Sequence, residues 1–201
     1  MAMSTAYETE GRTAQKQRTR AALVAAARAL VAEGSSPTVE DAAEAASISR
    51  TTAYRYFPNQ HALLAAAHPE TATASLLPPN ASNDPRERVD LVVKAFLKVV
   101  VETEAQQRTM LRLSLDDDRS PADLPLRQGR AIGWLIEALE PARPQLGDAG
   151  IRRLALAIRS ATGIEALVWL KDIGRLSTAE AVKLMRGTAD ALVRAALADS
   201  D

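Results

Sequence analysis

Residues 38–64 read TVEDAAEAASISRTTAYRYFPNQHALL, two short helical patterns joined by a polar turn and closed by a break at Pro58. Thr38 with Asp41 has the form of a capping box. A side-chain oxygen ahead of a helix satisfies an orphan N–H, and the acid favours the helix's positive end. The spacing predicts a helix from about Val39, with Val39, Ala42, Ala43 and Ala46 on a small-residue face turned to a core. Ser47, Ile48 and Ser49 interrupt that rhythm. Ile48 is the apolar residue able to plug the corner, and Ser49 is placed to cap the next helix. That second helix is predicted over Arg50 to Phe57, with Ala53 and Phe57 inward and Arg50, Thr51, Thr52, Tyr54 and Arg55 outward. The pair reads as a helix-turn-helix. Between Ala45 and Pro69 there are arginines but no Asp or Glu, so the exposed face is expected to offer donors and aromatics. Such a face suits the major groove: arginine bonds a guanine edge bidentately, threonine meets a thymine methyl, and tyrosine hydroxyls reach phosphates.

The run Tyr54-Arg55-Tyr56-Phe57-Pro58-Asn59 resembles the end of the helix-turn-helix in the TetR (tetracycline repressor) family, a Tyr-x-x-Phe or Tyr-x-His element followed by a Pro/Asn/Lys break. The resemblance is motif-like from Arg18 to about Ala67; beyond that, length and helical character agree. Two positions depart from the family pattern. Ser47 stands where the turn usually has glycine, and Gln60 stands where a phosphate-contacting lysine is usual. Glutamine can still bond a phosphate oxygen but brings no charge, so weaker non-specific binding is expected. The candidate DNA contacts are Thr38, Ser49, Arg50, Thr51, Thr52, Tyr54, Arg55, Tyr56, Gln60 and His61, with Arg18 and Arg20 on the backbone.

A chain of 201 residues, 47% hydrophobic but only 3% aromatic, must build its core from Ala, Leu, Val and Ile, which suits closely packed helices. The expected class is all-α: a three-helix DNA-binding domain followed by a larger helical ligand-binding and dimerisation domain. With no cysteine, disulfides, thiolate zinc sites and thiol catalysis are excluded, and a reducing cytoplasm is the natural setting. The first residues lack an apolar signal core and no later run is long and uncharged enough to span a membrane. Lys+Arg and Asp+Glu are both 25, which argues against indiscriminate coating of nucleic acid. Distribution is more informative, since Arg12, Lys16, Arg18 and Arg20 form an acid-free basic cluster.

Three parts are expected: a mobile polar arm over residues 1–12, the DNA-binding domain over 13–68, and the regulatory domain over 69–201. The first helix is predicted from Thr13 to Glu33, stopped by Gly34, with Leu23, Ala27, Leu30 and Val31 on one face. Asn59 can cap a helix carrying Leu63, Leu64 and Ala67. Pro78, Pro79 and Pro85 mark a linker. Beyond it, Val89, Val92, Val93, Phe96 and Val100 describe an amphipathic helix, and Met110, Leu111, Leu113 and Leu115 a shorter one. Asp116 to Asp118 read as a solvated acidic loop rather than a cation site. A helix near Leu126 to Leu139 sends Trp134 away from its main stripe. A long helix from Asp148 to Lys171 and a last one opened by a Ser177/Glu180 capping box complete the chain.

Those last two helices each carry apolar residues on more than one face, and the family resemblance implies that they pair with a second copy as a homodimer. Candidate effector contacts are Phe96, Met110, Trp134, Thr162, Glu165 and Trp169, for a mostly apolar small molecule. No cofactor and no metal is expected. Two histidines outside any catalytic motif and the lack of a Gly-rich phosphate loop point away from an enzyme. The resemblance thus implies a ligand-responsive regulator, a repressor, bound to a palindromic operator. An all-α enzyme or carrier with a merely structural helix-turn-helix, and a DNA-binding dimer without effector, are the alternatives.

Overall fold

A computed structural model of the chain describes residues 3–68, 73–115 and 129–198. Among them there is no strand, and the fold is all-α. The chain divides into two compact units, Met1–Thr71 and Ala72–Asp201.

The first unit contains α1 (Met3–Ala32), α2 (Val39–Ala45), α3 (Arg50–Tyr56) and α4 (Gln60–Ala67). Helix α1 starts ahead of the Thr13 expected from the sequence, so residues read as a polar arm continue its backbone. Gly11 is the strongest opponent of helix there, at about 1 kcal/mol, which a contiguous helix absorbs. Gly34, at φ +84, takes the left-handed stop, and its N–H bonds the Val31 carbonyl. Leu23 and Ala27 face inward with Val39, Ala42, Ala43, Ala53, Phe57, Leu63 and Ala67, making a small, alanine-rich core, and Val31 is buried as well.

The corner between α2 and α3 closes as a Schellman motif: Ile48 N–H bonds the Ala43 carbonyl and Ser47 N–H that of Glu44. Ile48 packs on the core beneath it. The left-handed residue of this motif is Ser47, at φ +55, the position where the resemblance leads one to expect glycine. A side chain there costs about 1–2 kcal/mol, against about 0.4–1 kcal/mol of extra chain entropy that glycine brings. Ser47→Gly is therefore expected to stabilise the first unit by roughly 0.5–1 kcal/mol, read as a higher denaturant midpoint with an unchanged m-value. An unchanged or lower midpoint would show that the turn is not strained.

The second unit opens with residues 73–84, the expected linker, lying against its core through Leu76 and Leu77. Asp84 caps α5 (Pro85–Glu102) by accepting from Arg86 N–H at 2.8 Å, with Pro85 in the first turn. Val89, Val92, Val93, Phe96 and Val100 are all buried, as their spacing predicts. Helix α6 (Glu104–Leu115) follows. The acidic run Asp116 to Asp118 lies outside the described residues. Gly129 then leads into α7 (Arg130–Ala138), a 3₁₀ turn (Glu140–Ala142), α8 (Arg143–Thr162), α9 (Ile164–Asp172) and α10 (Thr178–Ala198).

One expectation is corrected here. The helix read as continuous from Asp148 to Lys171 breaks at Gly163, whose extended ψ of −177 separates α8 from α9. Because Gly163 interrupts no apolar stripe, periodicity passes over it. Before it, Gly147 kinks α8 near its start. The expected Ser177/Glu180 capping box is formed, with Ser177 N–H and hydroxyl both donating to Glu180 Oε2 at 2.8 and 2.6 Å. Helix α10 packs on α8 and α5 and is tied to α5 by two crossed ion pairs, Arg86 with Asp190 at 2.9 Å and Arg186 with Asp90 at 2.8 Å.

Candidate nucleic-acid interface

The candidate surface is built on three caps. Thr38 Oγ1 accepts from Asp41 N–H at 3.2 Å while Thr38 N–H donates to Asp41 Oδ2 at 2.8 Å, which fixes the start of α2. Ser49 Oγ accepts from Thr52 N–H at 3.3 Å and its hydroxyl donates to Thr52 Oγ1 at 2.9 Å, which fixes α3. Asn59 Oδ1 accepts from Ala62 N–H at 2.8 Å, which fixes α4. Each cap satisfies a donor that a short helix would otherwise leave open.

Helix α3 has only 7 residues, so its orientation is set by Ala53 and Phe57 buried below. Arg50, Thr51, Tyr54 and Arg55 are left exposed above, with Thr52 and Tyr56 half-buried at the sides. Arg18 and Arg20 are exposed on α1. Arg18 bonds Gln15 Oε1 at 2.8 Å, and the Arg20 guanidinium lies 5.3 Å from the centroid of the Phe57 ring, a cation–π contact that anchors a surface charge to the core.

The expected donor-only character of this face needs a correction. Glu40, in the first turn of α2, accepts from Arg50 Nη2 at 2.5 Å and from the Tyr54 hydroxyl at 2.7 Å, both on Oε1. The Tyr54 bond first, and the Arg50 partner further, hold the Glu40 carboxyl below the usual carboxylate range. The same bond to Glu40 raises the Tyr54 phenol. Glu40 therefore stays ionised on the face where arginine and tyrosine are offered. Acid content counted along α3 misses it, because the carboxylate arrives from another helix. The available signal was the Arg50/Tyr54 pair one turn apart on α3, which presents two donors to whatever α2 carries opposite.

Two more candidates are repositioned. His61 is 6% exposed, so it is corrected from a surface contact to a buried side chain. Gln60 turns its amide inward, with Nε2 donating to the Ser36 and Pro37 carbonyls at 2.9 and 3.3 Å. It thereby pins the loop before α2 rather than holding its donors outward.

In the second unit, Phe96 and Trp134 are buried with ring centroids 6.5 Å apart, and Trp134 Nε1 donates to the Ala74 carbonyl at 3.0 Å. The Arg159 guanidinium, absent from the sequence-derived candidates, lies 5.5 Å from the Phe96 centroid and pairs with Glu165 at 3.1 Å. Arg159 thus joins Phe96 to Glu165, and Trp134 meets the group through the Phe96 ring. Thr162 is buried, its hydroxyl donating to the Ile158 carbonyl at 2.8 Å, and Met110 is buried too, whereas Trp169 is 59% exposed.

Residues 22–67, from within α1 to the last residue of α4, match the family model described as bacterial regulatory proteins, tetR family. No curated protein sequence matches the chain.

Proposed function

From the premise that this chain is a member of the tetR family of bacterial regulatory proteins, a family of DNA-binding transcriptional regulators, we propose that it binds a palindromic operator as a homodimer and is released by a small-molecule effector. The observation that carries the reading is α3, a capped helix that exposes Arg50, Thr51, Tyr54 and Arg55 together. A helix this short reads only a few base pairs. Two of them across a twofold axis, about 34 Å or one helical turn apart, give a half-site pair its selectivity.

Support for a homodimer comes from apolar side chains exposed on the last helices: Leu156 on α8, Trp169 on α9 and Leu184 on α10. Support for an effector site is the Arg159–Glu165 pair against Phe96 and Trp134, a polar edge on an apolar wall. An effector acts by binding one body conformation better, at about 1.4 kcal/mol for each tenfold change in operator affinity. Repression is the sense of control that the family implies, exerted in the cytoplasm where the DNA is.

The test is enrichment of duplexes from a randomised pool by the purified chain, with sedimentation of the complex. An inverted repeat bound by two chains is expected. A monomer indifferent to sequence would overturn the reading. A thermal-shift screen of small apolar metabolites, followed by operator binding in the presence of each hit, separates an effector-controlled regulator from a dimer without effector.

A further inference from the structure

We propose that Glu40 is a specificity-determining positioning residue, which holds Arg50 and Tyr54 in the orientation that reads bases and penalises their capture by phosphate. The inference rests on the DNA-binding reading above. One carboxylate oxygen of Glu40 accepts from both residues, at 2.5 Å from Arg50 and 2.7 Å from Tyr54, and so fixes two side chains one turn apart on α3. The Arg50 side chain is 73% exposed and that of Glu40 33%, so the acid is the more covered partner of the pair.

A guanidinium has five N–H donors in a planar fork. The bond to Glu40 occupies one on Nη2, and the outer edge of the fork keeps a parallel pair for O6 and N7 of a guanine. Arg50 can therefore engage a base without leaving Glu40. Swinging aside to a phosphate abandons the carboxylate and brings a second negative group beside it. Glu40 also removes one unit of positive charge from the face, which lowers affinity for every duplex alike. The charge leaves the ratio of the two affinities unchanged; the orienting bond is what makes random DNA lose more than the selected site. In an electrically neutral chain with few cations on α3, discrimination by one acid is the economical arrangement.

The experiment uses the full chain and two probes, a duplex enriched from a randomised pool by the wild type and an unselected random duplex, each titrated over a range of salt. For Glu40→Gln, random-duplex affinity is expected to rise, with the slope of log K against log salt steeper by about 0.9. The selected-to-random ratio is expected to fall about tenfold, with the loss concentrated at the guanine read by Arg50. Glu44→Gln removes the same charge from the same helix and is expected to leave the ratio unchanged. In an Arg50→Ala, Tyr54→Phe background, where both bonds to Glu40 are gone, Glu40→Gln should no longer alter the ratio; in the otherwise native chain Glu40→Asp, which keeps the carboxylate, should lower the ratio less than Glu40→Gln. A selective wild type whose ratio Glu40→Gln leaves intact overturns this inference alone, as does an equal effect from Glu44→Gln or persistence of the effect without both Arg50 and the Tyr54 hydroxyl, which would make Glu40 a base reader in its own right. A wild type that enriches nothing from the pool overturns the DNA-binding reading itself.

Discussion

Arg50→Ala is expected to abolish most of the sequence preference while leaving a residual, salt-sensitive affinity for any duplex. A bidentate arginine–guanine contact is worth about 1–3 kcal/mol of discrimination, and the proposed twofold dimer would lose it in both half-sites. The native fold should be indifferent to the change. Arg50 is well exposed, and its pair with Glu40 is a surface pair that contributes little to stability. The variant leaves the Glu40 carboxylate facing DNA without its partner, so part of any lost affinity is repulsion. Pairing Arg50→Ala with Glu40→Gln removes that contribution. Arg18→Ala is the contrasting substitution, on an exposed arginine of α1: it should weaken selected and random duplexes alike and flatten the salt slope by about 0.9. Equal losses on both duplexes for Arg50→Ala would show that α3 does not read bases.

What could be read from the sequence was set by neighbours in the chain. The Thr38/Asp41 and Ser177/Glu180 boxes, the Ser49 and Asn59 caps and the Gly34 stop each join residues a few positions apart, and all five are formed. The stripe from Val89 to Val100 was legible for the same reason, since one buried face imposes one period. What was not legible depends on how helices cross. Glu40 lies 10 and 14 residues from its partners, and only the closure of the α2–α3 corner brings them together. The inward turn of Gln60 toward the Ser36 and Pro37 carbonyls, the 60-residue separation between Trp134 and the Ala74 carbonyl, and the α5–α10 ion pairs are of the same kind. The break at Gly163 was missed for a different reason: apolar residues run on through both helices, and hydrophobic spacing does not register a change of axis. Ser47 shows the converse. Its departure from the family's glycine was visible as a residue, but its meaning required the backbone, which remains left-handed there despite the side chain.

Phe57→Ala is expected to remove the DNA-binding unit as a folded object, with a larger loss of free energy than any surface change. Phe57 is 2% exposed, among Leu23, Val39, Ala53 and Leu63 in a core otherwise made largely of alanine. Truncating a buried phenylalanine costs about 3–5 kcal/mol, and the Arg20 guanidinium above the ring loses a further 0.5–1 kcal/mol or so. A unit of this size, Met1–Thr71, rarely draws more than about 3–5 kcal/mol from its core, so the whole margin is consumed. Circular dichroism should lose the helical signal of α1 to α4, while the second unit, with its own core from Val89 to Val193, retains a cooperative transition. Binding should vanish on selected and random duplexes together, unlike the selective loss for Arg50→Ala. Phe57→Leu, which keeps most of the volume, should cost less than about 1.5 kcal/mol and preserve discrimination. Should Phe57→Ala keep full helicity and still select its duplex, α3 is not oriented from below by Phe57, and the packing that aims Arg50 and Tyr54 must come from Ala53 and the α2 corner instead.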